Sequence, residues 1–155
     1  MSRLALLCLL CCMLCLSACT TPFWAYIRNM AGVPATIDVF LLDKAAMKTL
    51  PNQVKVVNKI VVFKSGFRQS FYKTENVHWI DTTHFSFTIQ PGVTADLTDM
   101  AGRFVNANPR EQVCVTVTIN TITDTLINGR NDFRFHKFGY KKVGLDIPVL
   151  YYDVK

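Results

Sequence analysis

Three polar side chains in one short stretch are the candidates in this chain for metal binding or acid–base chemistry. They are His78, Asp81 and His84. In an extended backbone His78 and Asp81 point to opposite faces because their spacing is odd, but a turn at Thr82-Thr83 would bring Asp81 close to His84. A structural zinc site is ordinarily tetrahedral, and no further ligand accompanies these three. The pattern therefore favours a polar strand end where Asp81 accepts local hydrogen bonds.

A second pair of carboxylates, Asp96 and Asp99, flanks Leu97-Thr98. Paired carboxylates can share a proton or flank a glycosidic bond, but aspartate and threonine are also typical helix-cap and turn residues. The chain has no Gly-x-Ser-x-Gly, His-Glu-x-x-His or phosphate-binding glycine loop. We therefore expect caps and turns here, no catalytic, metal-binding or cofactor-binding residue, and a protein that is not an enzyme.

The first nineteen residues carry five of the six cysteines and read as a targeting segment. Arg3 is followed by an apolar run, 4–16, and small residues, as in a secretory signal peptide. The run is shorter than the roughly 20 apolar residues that span a bilayer. Leu16-Ser17-Ala18-Cys19 resembles the lipobox of bacterial prolipoproteins. That resemblance implies removal of residues 1–18 and lipidation of Cys19, with a diacylglycerol on the thiol and an acyl chain on the new amino terminus.

The remaining chain is expected to be a short lipidated tether and one domain. Residues 19–22 form the tether, whose spacer 20–22 reaches about 10–15 Å, and residues 23–155 have the size of a single domain. Cys114 is then without a disulfide partner, and we expect it to be a packed or half-buried strand residue. The 11 Phe, 5 Tyr and 2 Trp all follow the leader and indicate a packed core rather than disorder.

Hydrophobic alternation with a period of two predicts an all-β fold. Ile37, Val39 and Leu41 share one face of a strand, and Val113 to Ile119 alternate in the same way. Strands separated by turn signals, without a βαβ rhythm, favour an antiparallel β-sandwich, immunoglobulin-like or transthyretin-like, of roughly seven to nine strands. The predicted strands are 35–42, 54–56 and 60–63 (one long or two short strands), 77–81, 85–89, 113–119, 125–127, 133–135 and 149–154.

Turns and short helices complete the prediction. Asn128-Gly129 indicates a hairpin turn, followed by a bulge near 136–137. One helical turn is expected at 44–50, capped by Asp43 and ended by Pro51, and a second follows Thr98 or Asp99. The aromatic segment 23–26 fits two interpretations: anchors at the lipid headgroups, or the start of the first strand.

Residues 32–43, Gly-Val-Pro-Ala-Thr-Ile-Asp-Val-Phe-Leu-Leu-Asp, are similar to the opening of the outer-membrane lipoproteins of type VI secretion systems. The resemblance implies a transthyretin-like β-sandwich in which an early strand leads into a short helical segment. No functional residue is carried over from that family.

The net charge and the expected export of the protein limit which classes of partner are expected. The formal net charge is +6, and because the charges are scattered they favour an ordinary solvated surface. The alternative in an exported protein is attraction to anionic lipids or an acidic partner rather than nucleic acid. Segment 130–142 interleaves cations with aromatic residues, which is typical of a strand with one buried and one solvated face. A basic strip that faces lipid or a partner protein is the alternative. The absence of Asp directly after Cys19 and of a charged tether favours the outer membrane, facing the periplasm.

We therefore expect a membrane-anchored envelope lipoprotein that acts as a non-catalytic binding or assembly module. Its expected partners are the membrane, through the lipid anchor, and another envelope protein. Two alternatives stay open: an outer-membrane lipoprotein of a type VI secretion system, and a lipoprotein that binds a small ligand or glycan in an aromatic-lined pocket.

Overall fold

The computed structural model describes residues 24–41, 52–63, 73–100, 113–128, 139–143 and 147–155. Within these ranges the chain forms β-strands and one 3-10 turn, Thr98–Met100. The strands are β1 (Trp24–Asn29), β2 (Ala35–Leu41), β3 (Gln53–Val57), β4 (Lys73–Asn76), β5 (His78–Trp79), β6 (His84–Ile89), β7 (Thr94–Asp96), β8 (Val113–Ile119), β9 (Ile122–Asn128), β10 (Gly139–Val143) and β11 (Ile147–Val154).

The strands form two sheets that pack face to face as a β-sandwich. Sheet A has the strand order β10-β11-β1-β7-β3-β4, and sheet B has the order β5-β6-β2-β8-β9. Among the described pairings one is parallel, that of β1 with β11, where Trp24 lies opposite Val149; the others are antiparallel. The predicted β-sandwich is confirmed, with its first and last strands side by side.

The core lies between the sheets and follows the alternation of the sequence. In β2 every second residue is buried, and Ile37 and Val39 are 0% exposed. Val117 and Val115 of β8 lie opposite them on the neighbouring strand and are also buried. Each such side chain stabilises the fold by about 1.5–3 kcal/mol relative to full exposure, so this alternation accounts for the packing of sheet B.

A second apolar cluster covers the outer face of sheet A. Tyr26 of β1 and Val149 of β11 are fully buried there, beneath Val61 and Phe63. The segment 60–63 was predicted as a strand, and this prediction is wrong, because it crosses the outer face without joining a sheet. Its apolar pattern reflects burial of Val61 and Phe63 rather than strand pairing.

Arg28 fastens this crossing segment to the sheet. Its guanidinium donates two hydrogen bonds to the carboxylate of Asp153, at 2.5 and 2.7 Å, and a third to the carbonyl of Val61 at 2.8 Å. The same group lies 4.6 Å from the ring centre of Tyr151 and 5.1 Å from that of Phe63. A bidentate pair of this kind also fixes direction, so β1, β11 and the segment are held in one arrangement.

The aromatic segment 23–26 belongs to the fold from Trp24 onward. Trp24 begins β1, and Tyr26 is 0% exposed in the outer cluster, so the strand interpretation is correct for these residues. The second helical turn is present as Thr98–Met100. The predicted turn at 44–50, the Asn128-Gly129 hairpin and the bulge near 136–137 extend outside the described residues. In the described ranges no helix is both long and apolar enough to cross a bilayer.

Candidate functional site: a polar cleft between the sheets

One extended segment, residues 73–79, forms the edge of both sheets in turn. Its first part, β4, pairs with β3 in sheet A, where Glu75 lies opposite Val54. Its second part, β5, pairs with β6 in sheet B, where Trp79 lies opposite Phe85. Because the segment leaves sheet A to join sheet B, a fork opens between β4 and the second half of β6.

The inner face of this segment changes from charged to apolar along its length. Directly paired residues share a face, so Lys73 and Glu75 point toward the sandwich interior like their buried partners Val56 and Val54. The next inner positions, Val77 and Trp79, pack against the core. The second half of the segment therefore closes the interior with apolar side chains, whereas the first half places charged side chains there.

Lys73 and Glu75 form an ion pair with each other. Their charged atoms are 2.9 Å apart, and the two side chains are 64% and 40% exposed. Exposed pairs of this kind stabilise a fold by about 0–1 kcal/mol. Stability therefore does not explain why two charged residues occupy inner positions of β4.

The fork encloses a cleft of about 470 Å³. Lys73 and Glu75 form one wall, residues 88–93 the other, and Asn58 lies beside them. This volume falls within the roughly 300–1,000 Å³ of ordinary ligand pockets. None of the described lining residues is aromatic, which differs from the aromatic-lined pocket expected of a glycan binder.

The turn between β6 and β7 shapes the far wall of the cleft. In Gln90-Pro91-Gly92-Val93 the N–H of Val93 donates to the carbonyl of Gln90 at 3.1 Å. Gly92 has a φ of 77°, which residues with a Cβ rarely adopt, and proline before it suits the preceding position of a type II turn. The turn is therefore encoded locally by Pro91-Gly92.

Asn29 at the end of β1 ties this wall to both sheets and is 0% exposed. Its side-chain amide donates to the carbonyls of Val33 at 2.9 Å and Ile89 at 3.0 Å, and accepts from the N–H of Ala31. Its backbone bonds Gly92 and Val93 at 2.8 and 2.9 Å. Buried amides stabilise only when their hydrogen bonds are made, and Asn29 makes them with the strands and turn that frame the cleft.

The backbone of Thr88 faces the open side of the fork. The carbonyl of His84 accepts bonds from Ile80 and Asp81 on the β5 side, and N–H and C=O groups alternate along an antiparallel strand. The N–H and C=O of Ser86 and Thr88 therefore also point to that side. The pairing of β5 with β6 extends only as far as Ser86, so no described residue pairs with Thr88 on the β5 side.

The predicted polar cluster does not form one site. Asp81 accepts bonds from the N–H of Thr83 at 2.6 Å and from its hydroxyl at 2.8 Å, and these bonds lower the pKa of Asp81. This is the local strand-end role that the spacing predicted. His78 lies on β5 and is exposed. Within the described part of the chain no cluster of histidine, cysteine or acidic residues could hold a metal ion.

His84 finds a different carboxylate from the one that the sequence suggested. Its Nε2 lies 3.1 Å from Asp38, and its ring stacks on Phe40 at 4.0 Å between centres. Cys114 is on the far side of Phe40, one strand further along, so the backbones of Cys114 and His84 are separated by two strand spacings, about 9–10 Å. Burial raises the pKa of the Cys114 thiol, the opposite of an activated nucleophile.

The two aspartates of 96–99 serve local structure. Asp96 accepts a hydrogen bond from the N–H of Thr98 at 2.8 Å, which fits the predicted cap role. Asp99 pairs with Lys55 at 3.2 Å, with both side chains about half exposed. Cys19 and residues 130–138 of segment 130–142 lie outside the described residues, and the rest of that segment lies in β10.

Sequence reasoning missed the residues that build the cleft. Lys73, Glu75 and Thr88 carry no motif, and the bonds of Asn29 to Ile89, Gly92 and Val93 are distant in sequence. Two features of the sequence point to the cleft. Pro91-Gly92 indicates a turn, and the spacing of two between Lys73, Glu75, Val77 and Trp79 indicates one face of an extended segment. No protein-family model, curated protein or solved structure matches the chain.

Proposed function

We propose that this protein is a lipid-anchored envelope protein that acts as a non-catalytic binding or assembly module. The sequence Leu16-Ser17-Ala18-Cys19 carries the proposal, because a cysteine after small residues at the end of an apolar run is what lipidation requires. The anchor is placed in the outer membrane, facing the periplasm, and the partner is another envelope protein.

The start of the fold supports a domain held close to the bilayer. Trp24 begins β1 five positions after Cys19, a distance of at most about 18 Å in extended chain. The end of the sandwich where β1 begins would therefore face the membrane. Asn29, at the other end of β1, bonds the turn that lines the cleft, so the cleft would face away from the membrane, toward other envelope proteins.

The lining of the cleft supports binding rather than catalysis. Among the described lining residues there is no histidine, aspartate, serine or cysteine, and the His84–Asp38 pair lies elsewhere, on sheet B. The absence of an aromatic ring from this lining favours a polypeptide over a glycan, since sugars commonly stack on aromatic faces. The likeness of residues 32–43 to type VI secretion lipoproteins adds no residue to the site and stays a prediction.

The test is mass spectrometry of the amino-terminal peptide of the protein recovered from cell membranes. We expect a peptide that begins at Cys19 and carries diacylglycerol and an acyl chain. Cys19→Ala should abolish the lipid and release the protein from membranes, whereas Cys15→Ala, four positions earlier, should change neither. An unmodified amino terminus, or an intact leader, would refute the proposal.

The binding role is tested in the same cells by crosslinking of the lipidated protein, followed by identification of captured proteins. A defined envelope protein that is captured with wild type and lost with Cys19→Ala is the expected result. Equal capture by both forms would show that the anchor has no role in partner choice.

A further inference from the structure

We propose that the cleft binds an extended peptide segment of the partner protein, which pairs with the edge of β6 at Thr88, where none of the described strands pairs, and carries an acidic residue toward Lys73. The identity of the partner as an envelope protein rests on the proposed function. The peptide site itself rests on the geometry of the fork.

The first argument is the interrupted ladder of sheet B. Strand β5 pairs with β6 at Ser86 and Phe85, and the chain then departs into sheet A as β4. In the described part of the chain no strand pairs with Thr88 on this side, and its N–H and C=O point into the cleft. Unpaired strand edges are the usual template for strand addition. A segment that enters the fork would continue the line of β5 along β6.

The second argument is the character of the opposite wall. An added strand places alternate side chains between the two sheets, where this protein presents Lys73 and Glu75 instead of apolar residues. An apolar segment would remove water from this exposed ion pair without offering it a further hydrogen bond, which costs free energy. A segment with an acidic side chain at the inner position can pair with Lys73, and the formal net charge of +6 attracts such a segment.

The third argument is that the site is held in place. The turn 90–93 is fastened to Asn29 by two backbone bonds, and the amide of Asn29 also bonds Ile89 at the end of β6. A wall fixed in this way is ordered before the segment arrives, which reduces the entropy lost on binding.

The experiment selects short linear peptides from a phage-displayed random library on the purified full-length chain in detergent micelles. We expect enriched peptides that are rich in β-branched residues and contain Asp or Glu. A labelled enriched peptide should bind Thr88→Pro at least about tenfold more weakly, because one backbone hydrogen bond is lost. Thr88→Val, which keeps the N–H, should bind within about twofold of wild type.

Two further measurements separate loss of binding from loss of folding. The same peptide with its central backbone amides methylated should bind the wild-type chain at least about tenfold more weakly. Lys73→Glu should weaken binding by a similar factor, while the exchanged pair K73E/E75K, which keeps both charges in the cleft, should recover most of it.

Several outcomes would overturn the proposal. They are no enrichment, enrichment of basic or purely apolar peptides, binding that is unchanged by Thr88→Pro and by amide methylation, and enrichment of segments of this chain itself, which would assign the cleft to a second copy. The proposed function can fail independently of the peptide site. If the chain binds acidic peptides through Thr88 but carries no lipid on Cys19, the peptide site is supported and the location in the envelope is refuted.

Discussion

The two lateral edges of the sandwich are built from similar strands but end differently. On one side, where β11 extends past the edge strand β10, Tyr152 reaches from sheet A to β9 of sheet B and donates its O–H to the carboxylate of Asp124 at 2.7 Å. On the other side, where β6 extends past the edge strand β5 beside β4, Lys73 and Glu75 bond each other along one strand at 2.9 Å. The first edge is closed across the sheets, and the second holds a cleft of about 470 Å³.

Both edges place charged residues at inner positions, so charge alone does not decide whether an edge is open. Asp124 lies opposite the buried Val117, as Glu75 lies opposite the buried Val54. The difference is where the hydrogen-bond donor lies. Tyr152, which donates to Asp124, belongs to the opposite sheet and joins the two sheets. Lys73, which donates to Glu75, belongs to the same strand, so this pair does not join the sheets. The closed edge therefore stabilises the sandwich, and the open edge is the one that holds the proposed peptide site.

The largest effect is expected for the residue that frames the open edge. Asn29→Ala removes three side-chain hydrogen bonds at a fully buried position and should lower the free energy of unfolding by about 3 kcal/mol, since each bond contributes about 1 kcal/mol. Urea unfolding measures this. Asn76→Ala, on the exposed side of β4, is the control and should change stability by less than about 0.5 kcal/mol. Equal effects of the two variants would show that Asn29 does not hold the cleft wall.

At the closed edge, Tyr152→Phe removes the donor to Asp124 and keeps the ring. Hydrogen bonds to charged groups contribute about 1.5–3 kcal/mol, and partial exposure of Tyr152 places the expected loss at about 1.5 kcal/mol. The neighbouring Tyr151→Phe keeps its ring over Arg28 and should be nearly neutral in the same denaturant titration. A neutral Tyr152→Phe would remove the distinction between the edges.

The closed edge should also respond to alkaline pH. Burial, and then the hydrogen bond to Asp124 and its charge, raise the pKa of Tyr152. A folded-state pKa above the unfolded value of roughly 10 means that this contribution is complete below pH 10 and is lost as the pH rises further. Wild type should therefore lose stability more steeply above pH 10 than Tyr152→Phe in thermal unfolding. Parallel curves for the two proteins would contradict this.

The smallest effect on stability is expected for the ion pair of the open edge. The double variant K73V/E75V replaces an exposed pair, so the free energy of unfolding should change by less than about 1 kcal/mol. Binding of an acidic peptide should nevertheless be lost. Thr74→Val, on the outer face of the same strand, should leave both quantities unchanged. A loss of stability comparable to that of Asn29→Ala would show that the pair holds the edge together.

The strands that alternate in sequence were predictable, and those that do not were missed. Segments 35–42 and 113–119 predicted β2 and β8 within about a residue, because alternation of buried and exposed side chains is visible without a partner. Strand β4, Lys-Thr-Glu-Asn, is polar on both faces and gives no such signal. Its inner face becomes evident only when Val54 and Val56 are placed opposite it.

The candidate site was beyond sequence reasoning for the same reason. His84 was matched with Asp81, its neighbour along the chain, but the fold pairs it with Asp38, 46 positions away. Arg28 and Asp153 are 125 positions apart and meet only because β1 and β11 are neighbours. Contacts of this range depend on strand order, which local patterns do not specify.

The sequence by itself determined the all-β character, the inner face of the clearest strands and the turn at Pro91-Gly92, since each depends on the conformational preferences of adjacent residues. The tertiary structure decided which strands are neighbours, where residues 73–79 leave one sheet for the other, and therefore which edge stays open. The physical reason is that side-chain alternation is a property of a single strand, whereas an unpaired backbone edge exists only in relation to the strands around it.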